Sequence, residues 1–405
     1  AGAVRMHWTA MLASLPLIGA ISLRDPLVSE LSRLGYGKIR QVTQLNSGGG
    51  ERGLRTTHRR YDTNEGPVFC KISSLPKANE AFAAEAASLR ALRTAVLGWG
   101  LVRIPKPIAS GAMPLGGGYL ALEWVDFEPL GSSRLSTLGS LGEALADLHT
   151  APQPPGASNA PWATRAPSFG FGCETYLGSY PQPNGWERTF SDFFVIRRLL
   201  PQLEAACGIG GMRRDGYGGG GRAWDGGGRD ASDDPIAAIH RGRGRVLDGA
   251  ADPSLLLRLR QLREPVLQSA EAMLERLADP PSLLHGELWT GSFGAVSGSS
   301  EPVLFDPACW YGLAECDLAL FEVQGRPADA FYEAYHAMRP RADGFEQRLQ
   351  LFVLYHRLVE LNRLASPSQT SDASSSSSLR DSVGNLNDCL SKVVKLMDRI
   401  AAEKS

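Results

Sequence analysis

Cysteine is scarce in this chain: six in 405 residues, at positions 70, 173, 207, 309, 316 and 389, with no Cys-x-x-Cys pair. Such spacing excludes a zinc ribbon and a dense disulfide framework, and suits reduced thiols in an intracellular protein. Net charge is equally low, with 42 Lys and Arg against 43 Asp and Glu. The chain therefore lacks the global basic field of nucleic-acid binders, and no specific nucleic-acid partner is expected. Long hydrophobic runs are missing too. Met11 to Leu23 is apolar, but it is too short and too broken by Pro16 and Gly19 to span a bilayer, so no membrane partner is expected. With Arg5 ahead of it, that stretch reads as the remnant of a targeting segment or as an ordinary leader. No internal repeat is visible.

What is present is enough apolar residue, 43% of the chain, to build two cores. From Asp25 to Leu34 the positions Leu27, Val28, Leu31 and Leu34 recur at helical spacing, and Gly35 supplies a stop. Ile39 to Leu45 reads as a strand, followed by the turn Asn46-Ser47-Gly48-Gly49-Gly50. Arg55 to Tyr61 and Pro67 to Ile72 are two further strands joined by the hairpin Asp62 to Gly66. Ala78 to Thr94, rich in Ala, Leu and Glu, predicts a helix, and more strands end with Tyr119 to Trp124. Beyond Val125-Asp126 the pattern turns helical, at Leu138 to His149, Asp192 to Cys207 and Leu255 to Leu277.

Strands first and helices second predict an α+β fold of two lobes. Residues 24–125 form the smaller lobe, an antiparallel sheet plus helix, after an extension over 1–23. Residues 126–400 form a larger, mainly helical lobe. A Gly/Arg-rich insertion at 208–250 and a Ser-rich loop at 366–378 interrupt the second lobe and read as disordered. The insertion contains a literal Gly-x-Gly-x-x-Gly at Gly216 to Gly221, but no strand leads into it and glycine surrounds it.

The chemistry lies in two places. Leu284-His285-Gly286-Glu287-Leu288-Trp289-Thr290-Gly291-Ser292, followed by Leu304-Phe305-Asp306-Pro307, sets an acid, a small polar residue five positions later and then an Asp. That order is the skeleton of a phosphotransferase catalytic loop and metal site. Upstream, Ser47-Gly48-Gly49-Gly50 offers backbone N–H groups to phosphates, Lys71 offers a cation from a strand, and Glu85 offers its partner from a helix. A Lys facing inward from an apolar strand is costly unless an anion meets it. Leu122-Glu123-Trp124 stands at the lobe junction, where backbone groups are placed to bond an adenine. On this reading Glu287 accepts the substrate proton, Asp306 holds Mg²⁺ against the phosphates of ATP, and Ser292 is a second oxygen ligand. His285 is a scaffold residue whose ring bonds the loop backbone.

With these residues assembled, the chain resembles the fructosamine/ketosamine 3-kinase family, relatives of aminoglycoside and choline phosphotransferases. The resemblance runs from about Leu27 to Leu364. It is carried by Arg60-Tyr61-Asp62-Thr63, Phe69-Cys70-Lys71, Gly142 to His149, Pro181-Gln182-Pro183-Asn184-Gly185-Trp186, Asp306-Pro307-Ala308 with Tyr311-Gly312, and Glu315-Cys316-Asp317. It implies a protein-kinase-like fold and ATP-dependent phosphorylation of the sugar 3-hydroxyl of ribulosamines or fructosamines. Glycated proteins or small ketosamines would be the partners, and the outcome protein deglycation. Trp289 falls at the family's catalytic-loop aromatic, which implies a sugar contact; packing is the other reading.

Three departures accompany the resemblance. The family's catalytic Asp is Glu287 here, its metal-binding Asn is Ser292, and a Cys after the glycines is Glu51. One extra methylene displaces a carboxylate by roughly 1 Å, enough to cost on the order of a hundredfold in rate. A reduced turnover is therefore expected. The competing readings are a pseudokinase that binds nucleotide or glycated protein without turnover, and a kinase of another small hydroxyl substrate. The Cys309-Trp310-Tyr311 variant and the insertions resemble plant or algal members, so a plastid stands beside the default cytoplasm as location.

Overall fold

The structure, a computed structural model, describes residues 25–45, 56–96, 100–130, 135–158, 168–208, 247, 249–275, 277, 279–365 and 376–403. The expected glycine turn 46–50, Glu51 and nearly all of the 208–250 insertion lie outside the described residues. So does the Ser-rich stretch up to residue 375.

The first lobe is a five-stranded antiparallel sheet of order β1-β2-β3-β5-β4. Its strands are β1 (Gln41–Leu45), β2 (Thr57–Thr63), β3 (Gly66–Ser73), β4 (Pro107–Ala112) and β5 (Gly118–Glu123). Side chains alternate across it with the period of two that pleating imposes. Val68, Cys70, Tyr119 and Ala121 face outward onto α1 (Pro26–Leu31), where they bury Leu27 and Leu31. Asp25 caps that helix through the Leu27 N–H and accepts from Arg59 and from the Tyr61 hydroxyl, both at 2.9 Å. The other face carries Leu120 and Leu122, which meet Phe82, Ala86 and Leu89 of α2 (Ala78–Ala95). Elements expected from periodicity are all found in this lobe, each within a few residues.

Past Glu123 the chain crosses to the second lobe through Trp124 to Asp126. β6 (Phe127–Pro129) then joins a three-stranded sheet with β10 (Phe293–Val296) and β11 (Pro302–Leu304). The lobes are stitched by backbone bonds from Arg103 N–H to Pro302 O and from Leu304 N–H to Arg103 O. Helix α3 (Leu135–Thr150) follows, then the hairpin β7 (Thr175–Leu177) and β8 (Tyr180–Gln182). A helical run made of α4 (Phe190–Phe194), a π-helical turn at Val195–Leu199 and α5 (Leu200–Cys207) matches the expected Asp192–Cys207 helix. It ends at Gly208 in the left-handed conformation, the usual helix stop.

Leu247 is fully buried in the second core, ahead of α6 (Pro253–Leu274). Two short strands, β9 (Ser282–Leu284) and β12 (Trp310–Gly312), pair with each other and bracket the segment from His285 to Cys309. The lobe closes with α7 (Glu315–Gln324), α8 (Asp329–Met338), α9 (Phe345–Leu364) and α10 (Ser376–Ala402). Helix α10 begins at Ser376, inside the expected Ser-rich loop.

Candidate active site

Lys71 leaves the inner face of β3, directly opposite Leu120 of β5 and His58 of β2. Its ammonium lies 2.6 Å from Glu85 Oε1 on α2 and 2.5 Å from Asp306 Oδ1 of the second lobe. Burial alone would depress the Lys71 pKa, but the charges of Asp306 and Glu85 outweigh it and hold the ammonium above its usual value. Glu85 is pushed up to about 7, first by burial and then by the Asp306 charge, with Lys71 opposing. His58 is held neutral, at about 4, by burial and by the neighbouring Lys71. A single cation thus ties the sheet, its helix and the second lobe together.

Asp306 follows β11 with φ 59°, a left-handed conformation that a non-glycine residue adopts only when its surroundings hold it there. Those surroundings are specific. The Phe305 N–H donates to Ser292 O, the Ala308 N–H to His285 O, and the Cys309 N–H to the hydroxyl of Ser88. Ser88 stands three residues after Glu85, so one face of α2 supplies both the lysine's partner and an anchor for the chain just beyond Asp306.

The loop from His285 to Ser292, the expected catalytic loop, is built from beneath. His285 is fully buried, its Nε2 lies 3.0 Å from Phe305 O, and its Nδ1 faces the Glu287 N–H at 3.4 Å. Those partners assign the proton to Nε2. Burial lowers the ring's pKa, so it stays neutral, as a scaffold requires. Gly286, at φ 80°, passes so close to Ala308 that a Cβ would sit 2.0 Å from its carbonyl oxygen.

Sequence reasoning missed the residue that holds this loop. Asp317, buried in the first turn of α7, accepts from the His285 N–H at 2.6 Å and the Gly286 N–H at 2.8 Å. His149 Nε2 of α3 meets the same carboxylate at 3.1 Å, and its Nδ1 meets the Tyr335 hydroxyl at 2.8 Å. Burial would raise the Asp317 pKa, yet the His149 bond, the flanking imidazoles and the Gly286 N–H hold it below the usual carboxylate range. In the sequence Asp317 stands within Glu315-Cys316-Asp317, one of the segments that carry the family resemblance, but nothing there assigned it a role.

The remaining expected residues take different positions. Glu287 is half-buried just beyond Gly286, and its charge is felt by Tyr355 and Arg363 of α9. Trp289 folds its ring over Gly291, where a Cβ would meet the indole at 2.2 Å. Ser292 is fully buried, and its hydroxyl donates to Trp289 O at 2.9 Å and accepts from the Trp289 N–H at 3.0 Å. At the lobe junction Leu122 is buried and the Glu123 N–H donates to Lys106 O. The Glu123 carboxylate braces the junction, accepting from Lys106 N–H at 2.9 Å and from Arg103 at 3.1 Å. The indole N–H of Trp124 donates to Asp126 at 2.6 Å. Ser47, Gly48, Gly49 and Gly50 lie outside the described residues.

Among the described residues no three His, Cys, Asp or Glu side chains gather into a metal cluster. Mg²⁺ does not ask for one, since it takes one or two carboxylates with phosphates and waters. The Asp306 carboxylate, about a third exposed, fits that need. Ser292 fits less well, because two of its three hydrogen-bonding positions are committed to the loop.

A lysine bridged to a helix glutamate and to an aspartate across a two-lobed cleft, above a loop hung from a buried carboxylate, is the ground plan of a kinase-like phosphotransferase. The profile of the family described as Fructosamine kinase matches residues 30–217 and 257–377. The chain belongs to the fructosamine kinase family. It is 32% identical over 318 residues to the ketosamine-3-kinase of Mus musculus, covering 76% of this chain and 85% of that protein. It is 31% identical over 337 residues to the chloroplastic protein-ribulosamine 3-kinase of Arabidopsis thaliana, covering 82% and 81%. Membership makes this protein a phosphotransferase.

Solved structures agree on the fold. A Haemophilus somnus 129PT protein named as a fructosamine-3-kinase superposes with a TM-score of 0.60 at 21% identity, over 92% of this chain and 96% of that one. An aminoglycoside phosphotransferase in ternary complex with ADP and hygromycin B gives 0.53 at 12% identity, over 93% and 99%. The two-lobed, kinase-like α+β architecture expected from the sequence is thereby shown. No helix among the described residues is long and apolar enough to cross a membrane.

Proposed function

We propose that this fructosamine kinase family member transfers the γ-phosphoryl group of ATP to the 3-hydroxyl of ketosamines, as ribulosamine or fructosamine adducts on proteins or as small molecules. The observation that carries this reading is the Lys71 ammonium between Glu85 and Asp306 at 2.6 and 2.5 Å. Residues 24–125 form the nucleotide lobe and 126–400 the acceptor lobe. Lys71 neutralises the α/β-phosphates, and Ser47, Gly48, Gly49 and Gly50 are assigned from the sequence to the same phosphates. Leu122, Glu123 and Trp124 border the base. Asp306 would hold Mg²⁺, with Ser292 offering its remaining lone pair as a second ligand. Bound there, the ion would neutralise charge on the phosphate oxygens.

The sugar oxygen forms the new bond to the γ-phosphorus as the β–γ bridging bond breaks and ADP leaves. Glu287 accepts the proton of the hydroxyl, and neutral His285 keeps the loop in shape without titrating. Trp289 flanks the sugar. Loss of the phosphorylated sugar then completes deglycation. The names of the mouse and Arabidopsis relatives support the ketosamine substrate, and the chloroplastic relative supports keeping the plastid beside the cytoplasm as location.

Purified protein with ATP, Mg²⁺ and a ribulosamine tests the reading by phosphate transfer. Glu287→Asp is expected to raise turnover about tenfold, because the shorter arm restores the acceptor's distance. A nucleotide-dependent rise in Tm with no transfer by either protein would instead establish a binding-only member.

A further inference from the structure

The Arg60-Tyr61-Asp62-Thr63 motif has so far no role in the proposed reaction. Strand register divides it between the two faces of the sheet. Tyr61 and Thr63 point to the outer side, as does Arg59 with its bond to Asp25. Arg60 is the direct cross-strand partner of Phe69, which is in turn opposite Leu122. Cross-strand partners share a face. Arg60, Phe69 and Leu122 therefore form the row next to His58, Lys71 and Leu120 on the inner face, about 7 Å nearer the lobe junction.

On that row the Arg60 guanidinium lies 4.5 Å from the centre of the Trp124 ring, and Phe69 lies 6.5 Å from the same ring. Both stacked groups are fixed from behind. Arg60 Nε donates to Asp62 at 2.9 Å, and the Trp124 indole N–H donates to Asp126 at 2.6 Å. Asp62 engages one of the five guanidinium donors, so the terminal amino groups remain to meet acceptor atoms of a base or ribose. The Arg60 side chain is 35% exposed, so the stack borders the cleft instead of being sealed in a core.

We infer that Arg60, stacked on Trp124, is a nucleotide-site residue that forms the base-side wall of the cleft. This rests on the reading of the cleft as an ATP site. The phosphate row holds Lys71, and the neighbouring row holds Arg60, so the two cations serve different ends of one ligand. A lysine at position 60 would keep the charge but lose the planar stack.

Titration of the intact protein with ADP and with tripolyphosphate, followed by Tm and by tryptophan fluorescence, separates the possibilities. Arg60→Ala is expected to weaken ADP about fivefold, with Arg60→Lys between it and wild type, and to leave tripolyphosphate affinity unchanged. Arg59→Ala, on the opposite face, is expected to leave ADP affinity unchanged. Equal weakening of ADP and tripolyphosphate by Arg60→Ala would overturn the base-side assignment. Unchanged ADP affinity in Arg60→Ala and Arg60→Lys would overturn the role altogether. Failure of wild-type protein to bind ADP at all would overturn the ATP reading itself.

Discussion

The two halves of the cleft are held by different physics. The upper half, Lys71 with Glu85 and Asp306, depends on charges in direct contact. The lower half, from His285 to Ser292, depends on neutral and charged hydrogen bonds beneath the loop, centred on Asp317. There the frame is buried and fully bonded, while the proposed acceptor Glu287 stands at its edge. A buried carboxylate with three donors cannot change without leaving those donors unsatisfied. A side chain at the loop's edge, such as the proposed acceptor Glu287, can change length and leave those backbone bonds intact. Chemistry can therefore drift at the tip while the architecture is retained.

This contrast breaks most sharply at its electrostatic centre. Lys71→Met should lower kcat/KM for phosphate transfer by about 10²–10³, the usual cost of removing one preorganised charge from such a site. An unchanged rate would show that the cation site is not where transfer occurs. Below the loop, Asp317→Asn should cost about 3–5 kcal/mol in stability, because His285 N–H, Gly286 N–H and His149 lose an anionic acceptor. Urea denaturation reads this directly, and a loss below about 1 kcal/mol would mean the loop hangs from something else.

The smallest effect belongs to Glu85. Its folded pKa of about 7 stands above the ordinary 4.5, so the folded state binds that proton more tightly than the unfolded chain. The contribution is fully present below about pH 4.5 and is lost as pH rises through about 7. Glu85→Gln should therefore flatten the fall in stability across that window, by on the order of 1–3 kcal/mol. Parallel Tm-against-pH curves for the two proteins would show that another group sets the slope.

The legibility of each part follows the range of the interactions that made it. Helix α2 and strands β2 and β3 announce themselves because burial of one face imposes a local period, and that period also turned Lys71 and Glu85 toward each other. Strands β9 to β12 were not foreseen, since three or four residues are too few to show alternation. His149, Tyr335 and Asp317 were invisible as a set for another reason: 168 residues separate His149 from Asp317, and no local pattern records that they meet. Ser292 could be placed in the loop from its spacing, but not the direction of its hydroxyl, which the Trp289 backbone decides.

By itself, then, the sequence determined the order of the lobes, the strands of the first lobe and the ingredients of a phosphotransferase site, because these follow from local periodicity and residue chemistry. Only the tertiary structure decided which acid meets Lys71 from the far lobe, which carboxylate suspends the His285 loop and what Arg60 stacks upon. Those outcomes depend on contacts between distant segments, whose geometry is set by packing of both cores and not by any window of the chain.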